Sequence, residues 1–237
     1  MKLVFWKAIF SLALLTGLLF SGVSMVFGVQ APTLDVGSSS RFNDSFSGSG
    51  TSYEAQAGNV TELNLAGTQV TTHWAGFFGN ISGNITLQDA NGNIFYDWAG
   101  IGTLTGEVYA SNTSSVQWTT IGCANATHQN SINTFLGMTS GNSDSVFNTY
   151  GSPLHDAFSV AGVSIGANTC NSTNTYTNTG QDTGLFQQVI LSDDSSIPVF
   201  TTLLNASATS FKNTSVDFEL LAGVPGSGTL YFFIELN

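Results

Sequence analysis

The chain has 237 residues, 8% of them charged and 42% hydrophobic, with a net charge of −11; beyond residue 28 only Arg41 and Lys212 oppose fifteen acids, which leaves that part at −13. Such a balance excludes nucleic acid, whose phosphates need several Lys and Arg, and disfavours anionic membrane surfaces. Helical surfaces are normally made with Glu, Lys, Arg and Gln, so a surface of Gly, Ser, Thr and Asn points to strands and turns.

Taken in chain order, residues 1–28 read as a secretory signal. Lys2 and Lys7 precede an apolar run through Leu12, Leu14, Leu15, Leu18, Leu19 and Phe20, and Val26 and Gly28 stand at −3 and −1 for cleavage before Val29. The competing reading is an uncleaved anchor through residues 8–27, since about 20 apolar residues cross a bilayer; this would be the chain's one membrane contact. Residues 29–58 form a Ser/Gly-rich arm with Leu34, Val36, Phe42 and Phe46 as its sparse apolar positions. A neighbour's sheet edge is the expected acceptor for such an arm.

Residues 59–237 carry β patterning. Val60 to Leu65 and Val70 to Phe78 open it. Ile85 and Leu87 alternate with polar residues, Ala90-Asn91-Gly92-Asn93 marks a hairpin turn, and Ile94 to Trp98 returns. Strands are predicted at Glu107–Ala110 and Val116–Ile121, short helices at Asn130–Met138 and Asp144–Tyr150 with Asp144 as N-cap, and a strand at Ala157–Ile165. After an Asn/Thr/Gly loop from Asn168 to Gly184, strands follow at Phe186–Leu191, Val199–Leu204, Val216–Ala222 and Leu230–Leu236. The last is apolar on both faces and so reads as central. The fold class is all-β: a single β-sandwich domain, jelly-roll or Ig-like, with one or two short helices between the cysteines.

Cys123 and Cys170 are the two cysteines, and an isolated pair in an oxidising compartment reads as one disulfide. His128 is near Cys123, but no further ligand has zinc spacing. Nine Asn-x-Ser/Thr sequons stand at Asn43, Asn59, Asn80, Asn84, Asn112, Asn125, Asn171, Asn205 and Asn213, a moderate excess over what this composition supplies.

Motifs for catalysis are thin. His73, His128 and His155 sit in no nucleophile–base pattern, and no phosphate loop or His-Glu-x-x-His helix occurs. The expectation is no catalytic residue and no required cofactor. Calcium is the best candidate ion, at Asp89-Ala90-Asn91-Gly92-Asn93 with Asp97, but Ile94 stands where an EF-hand needs Gly and Gly100 where it needs Glu. Asp193-Asp194-Ser195-Ser196 is a second oxygen-rich turn. Among the tryptophans Trp74, Trp98 and Trp118, Trp74 is the candidate for stacking on a sugar ring, because Gly76 and Gly79 leave its surroundings uncrowded.

The strings Ala57–Asn64, His73–Leu87, Tyr96-Asp97-Trp98, Gly106–Ser111, Asp217–Leu221 and Tyr231–Leu236 resemble a group of uncharacterised secreted, cell-surface glycoproteins of archaea, over roughly residues 57 to 237. The resemblance implies a β-rich extracellular domain and carries over no activity or site. The expected role is therefore a non-enzymatic, extracellular or cell-surface glycoprotein in an envelope layer, adhesion or self-assembly. A module binding surface carbohydrate is the alternative, and a glycoside-active enzyme with paired carboxylates a third.

Overall fold

The strands Gly106–Ser111, Gln187–Ser192 and Pro198–Leu203 are buried on both faces and form the middle of the fold. The computed structural model describes residues 39–40, 54, 56–63, 69–83, 85–98, 105–181 and 184–237. Its strands are β1 (Trp74–Gly79), β2 (Thr86–Gln88), β3 (Ile94–Asp97), β4 (Gly106–Ser111), β5 (Gly122–Cys123), β6 (Phe158–Val160), β7 (Val163–Ile165) and β8 (Ser172–Asn174). They continue as β9 (Tyr176–Thr177), β10 (Gly180–Gln181), β11 (Gln187–Ser192), β12 (Pro198–Leu203), β13 (Ala208–Thr209), β14 (Ser215–Val216), β15 (Phe218–Gly223) and β16 (Tyr231–Leu236). Helices α1 (Ala126–Phe135) and α2 (Val146–Thr149) both lie between the cysteines.

A six-stranded antiparallel sheet in the order β16-β4-β12-β11-β5, with β8 also paired to β11, forms the centre. The two-residue strand period divides its side chains between two cores. Val108, Ala110, Phe200, Ile190 and Ile234 face a core closed by Leu220 and Ala222 of β15 and by Ile132 and Leu136 of the α1 segment. Tyr109, Val199, Val189, Leu191 and Phe233 face the other, closed by Phe158, Val160, Ile165 and Cys170. The structure is thus the expected all-β domain with two short helices. The Cys123–Cys170 disulfide forms, with its Cα atoms 5.0 Å apart, and ties β5 to the loop before β8.

The layer β1–β15 packs on β12, and its seam with the central sheet is polar. Val224 N–H donates to the His73 carbonyl, so the main-chain groups of Glu219 and Leu221 point away from β1. Buried Gln188 meets them: its Nε2 donates to the Glu219 carbonyl at 2.6 Å and its Oε1 accepts from Leu221 N–H at 3.1 Å. Tyr150 donates its hydroxyl to the Leu221 carbonyl at 2.8 Å. A strand that would otherwise leave an orphan buried edge is satisfied by two side chains.

Several expected elements shift for local reasons. Helix α1 starts earlier than predicted because Asn125 accepts from His128 N–H as its N-cap. Ser145, not Asp144, caps α2, accepting from Asn148 N–H. Residues Trp118–Thr120 form a 3₁₀ turn in place of the middle of a strand. Ala157–Ile165 folds as the hairpin β6–β7, turned by Ala161 and Gly162 at positive φ. The last strand, expected to be central, closes one end of the sheet.

Candidate functional site at the sheet edge

Strand β16, Tyr-Phe-Phe-Ile-Glu-Leu, ends the central sheet, and its register fixes which of its groups are used. Asn237 N–H donates to the Thr105 carbonyl, and Leu204 N–H to the Gly106 carbonyl. Odd-numbered residues of β4 therefore bond to β16 and even-numbered ones to β12. On β16, Tyr231, Phe233 and Glu235 bond inward, while the N–H and C=O groups of Phe232, Ile234 and Leu236 point out. No described residue hydrogen-bonds to that outer row.

Natural edges are usually guarded by Lys, Pro, a bulge or a charge pointing into the neighbour's path. Strand β16 contains no Lys, Arg or Pro, and its register with β4 runs unbroken over six pairs. Its one charge, Glu235, is held by its own molecule: Oε2 accepts from the Tyr109 hydroxyl at 3.0 Å and from Ala161 N–H at 2.9 Å. Phe232 and Leu236 remain half-buried at the rim, with Phe232 edge-on to Phe77 at 4.9 Å between centroids.

Directly across the seam from Glu235 lies Glu107, only 4% exposed. Its carboxyl is pushed up to about 8, first by burial and then by the Glu235 carboxylate; hydrogen bonds from Asn237 and Tyr109 work the other way. Burial also drives the Tyr109 hydroxyl well above its ordinary value, with both glutamates adding to the effect. Tyr109 therefore acts as a hydrogen-bond donor here. Gly106 begins β4 at φ +138°, and a Cβ there would collide with the Glu235 carbonyl, so glycine is required for β16 to close on β4. Sequence reasoning did not find this pair. Its only sequence signal is that each glutamate is the single charge in an otherwise uncharged strand.

The predicted site residues are scattered. Trp74 is half-buried, its ring 5.9 Å from those of Tyr150 and Phe200, and its indole N–H donates to the Asp144 carbonyl at 2.7 Å. Trp118 packs against Tyr109 and Phe233, while Trp98 is exposed beside Tyr96 on the β2–β3 hairpin, whose Phe95 is 84% exposed. Asn59, Asn80, Asn125 and Asn213 are exposed, and Asn112 and Asn171 half-buried. Asn205 donates its Nδ2 to the Leu185 carbonyl at 2.9 Å, which engages the atom a glycan would need. Asn43, Asn84, residues 1–28 and most of the 29–58 arm lie outside the described residues.

The oxygen-rich turns are internally bonded. Asp89 Oδ1 accepts from Asn91 and Asn93 N–H, and Asp193 Oδ1 from Ser195 and Ile197 N–H. Among the described residues no group of three or more His, Cys, Asp or Glu side chains is placed to share a metal ion. His155 is buried, its Nε2 accepting from Cys170 N–H at 3.0 Å and its Nδ1 facing the Asp156 carbonyl at 2.7 Å, which fixes the proton on Nδ1. His73 Nδ1 lies 3.0 Å from Asp144 Oδ2, which also accepts from Thr71. A separate groove of about 240 Å³ is lined by Phe77, Tyr176, Phe211, Glu219 and Leu221, with Tyr176 and Phe211 exposed.

No protein-family model, curated protein or solved structure matches the chain.

Proposed function

We propose that this is a non-enzymatic, secreted or cell-surface glycoprotein whose task is structural, in an envelope layer or another extracellular assembly. The observation that carries the reading is the outer edge of β16, to which no described residue hydrogen-bonds: six residues of regular strand, apolar at the rim, with the single acid turned inward. A solitary protein avoids such an edge because it templates pairing with another chain. The disulfide suits an oxidising compartment, and the apolar N-terminal run and the sequons of the sequence point the same way.

The test is to recover the protein from its native cell surface and medium and examine the same fractions by intact mass and electron microscopy. Ordered arrays or filaments, with a mass beginning near Val29 plus carbohydrate increments, are expected. A soluble, unglycosylated species that never enters an assembly would overturn the reading.

A second reading, a module for surface carbohydrate, is favoured by exposed Tyr176 and Phe211 flanking the 240 Å³ groove. Glycan-array binding that is lost in Tyr176→Ala would establish it; an array blank for the wild type would remove it.

A further inference from the structure

The register of the β16 edge lets it pair with a second copy of itself. In an antiparallel pair, residues with outward N–H and C=O groups exchange two hydrogen bonds with the residue directly opposite. Strand β16 presents such groups at Phe232, Ile234 and Leu236, evenly spaced about Ile234. A second β16, related by a two-fold axis through Ile234, places Ile234 opposite its own mate and Phe232 opposite Leu236 of the other copy. All six outward groups on each strand are then satisfied. We propose that the protein dimerises by this β16–β16 pairing, joining two six-stranded sheets into one continuous sheet.

Side-chain chemistry supports a second copy as the occupant. Phe232, Ile234 and Leu236 share the face that packs toward β1 and β15, so the paired rims extend an apolar layer that each copy already has. Phe232 and Leu236 are the residues left half-exposed at that rim, and each acquires an apolar neighbour from the other copy. The opposing charge problem is small despite the net of −11 for the whole chain, because Glu235 falls opposite Phe233 and its Oε2 is already bonded within its own molecule. A two-fold edge-to-edge contact is isologous and closed, so it yields a defined dimer, the unit from which a larger assembly would be built through other surfaces. The donor expected from sequence, the 29–58 arm, offers apolar residues only at Leu34, Val36, Phe42 and Phe46, with Ser and Gly between them.

The proposal rests on the structural reading of β16 and names the partner and register. It is tested by sedimentation velocity on the full chain as secreted by an expressing host, across micromolar concentrations. Wild type is expected to sediment as a dimer. Leu236→Pro removes an outward N–H while leaving the inward bonds of Glu235 and Asn237 in place, and is expected to halve the apparent mass with an unchanged far-UV spectrum. Phe232→Lys serves as an independent rim variant should the first fail to fold.

A wild type monomeric throughout the range would overturn the proposal, as would a dimer that survives both rim variants. Association lost on replacing Leu34, Val36, Phe42 and Phe46 with Asp would identify the arm as the occupant and also overturn it. Arrays at the cell surface built from a chain that fails these tests would leave the structural role standing and remove only the register; a monomer with no arrays would remove both.

Discussion

Glu107 shows how one buried side chain sets a pH dependence. Its carboxyl ionises near its ordinary 4.5 when unfolded but only at about 8 in the fold, because burial and then the Glu235 charge disfavour the anion. The folded state holds that proton over the interval while the unfolded state has released it, so stability falls as pH rises from about 4.5 to about 8. The contribution is fully present below the lower value and gone above the upper one, on the order of a few kcal/mol in total. Thermal unfolding of Glu107→Gln should show a flatter profile across that range, with a higher Tm than wild type at pH 8 and little difference at pH 4.5. Parallel profiles for the two proteins would show that another group controls the slope. The geometry behind this effect required two lone glutamates in strands more than a hundred residues apart to meet in register, which neither strand's pattern encodes.

At the scale of elements, the layer β1–β15 depends on hydrogen bonds to its main chain as well as on apolar burial. Gln188→Leu keeps a side chain of similar size but strips the Glu219 carbonyl and the Leu221 N–H of their partners. Each orphaned buried group costs about 1–3 kcal/mol, so a loss of roughly 2–4 kcal/mol is expected in urea unfolding, concentrated in that layer by hydrogen exchange. A change below about 0.5 kcal/mol would mean that water replaces the glutamine. Strand positions were legible because apolar residues recur with period two, and Asn91-Gly92 marked the β2–β3 turn, although that hairpin keeps Ile94, Phe95 and Tyr96 exposed. The 3₁₀ turn at Trp118–Thr120 was not legible: its apolar residues suit a strand, and the turn is accompanied by a bond from Gln117 N–H to the Asp193 carboxylate, remote in sequence. The mismatch at α2 has the same origin, since Asp144 is drawn to Thr71 and His73 and leaves Ser145 to cap the helix.

For the molecule as a whole, the disulfide joins a central-sheet strand to a loop 47 residues away. The paired change Cys123→Ala and Cys170→Ala is expected to cost about 2–5 kcal/mol, read as a lowered denaturant midpoint. The same double variant should keep the β16 edge and its self-association, because the disulfide lies at the opposite end of the strand order. Loss of association in a variant that still unfolds cooperatively would show that the two ends of the sheet are coupled.

Composition and residue order together settled the class: scarce charge, abundant Thr, Asn, Ser and Gly, and period-two apolar runs leave strands as the economical way to bury the chain. They also identified the cysteine pair, since two cysteines admit one intramolecular bridge. What only the tertiary structure decided is which strand ends the sheet and which side chains cross its seams. Leu230–Leu236 reads as central because both its faces are apolar; the fold packs both faces and, among the described residues, leaves one edge unpaired. Side-chain pattern reports burial above and below a strand, whereas the hydrogen-bonding direction lies in the plane of the sheet and is carried by a main chain identical at every residue except proline.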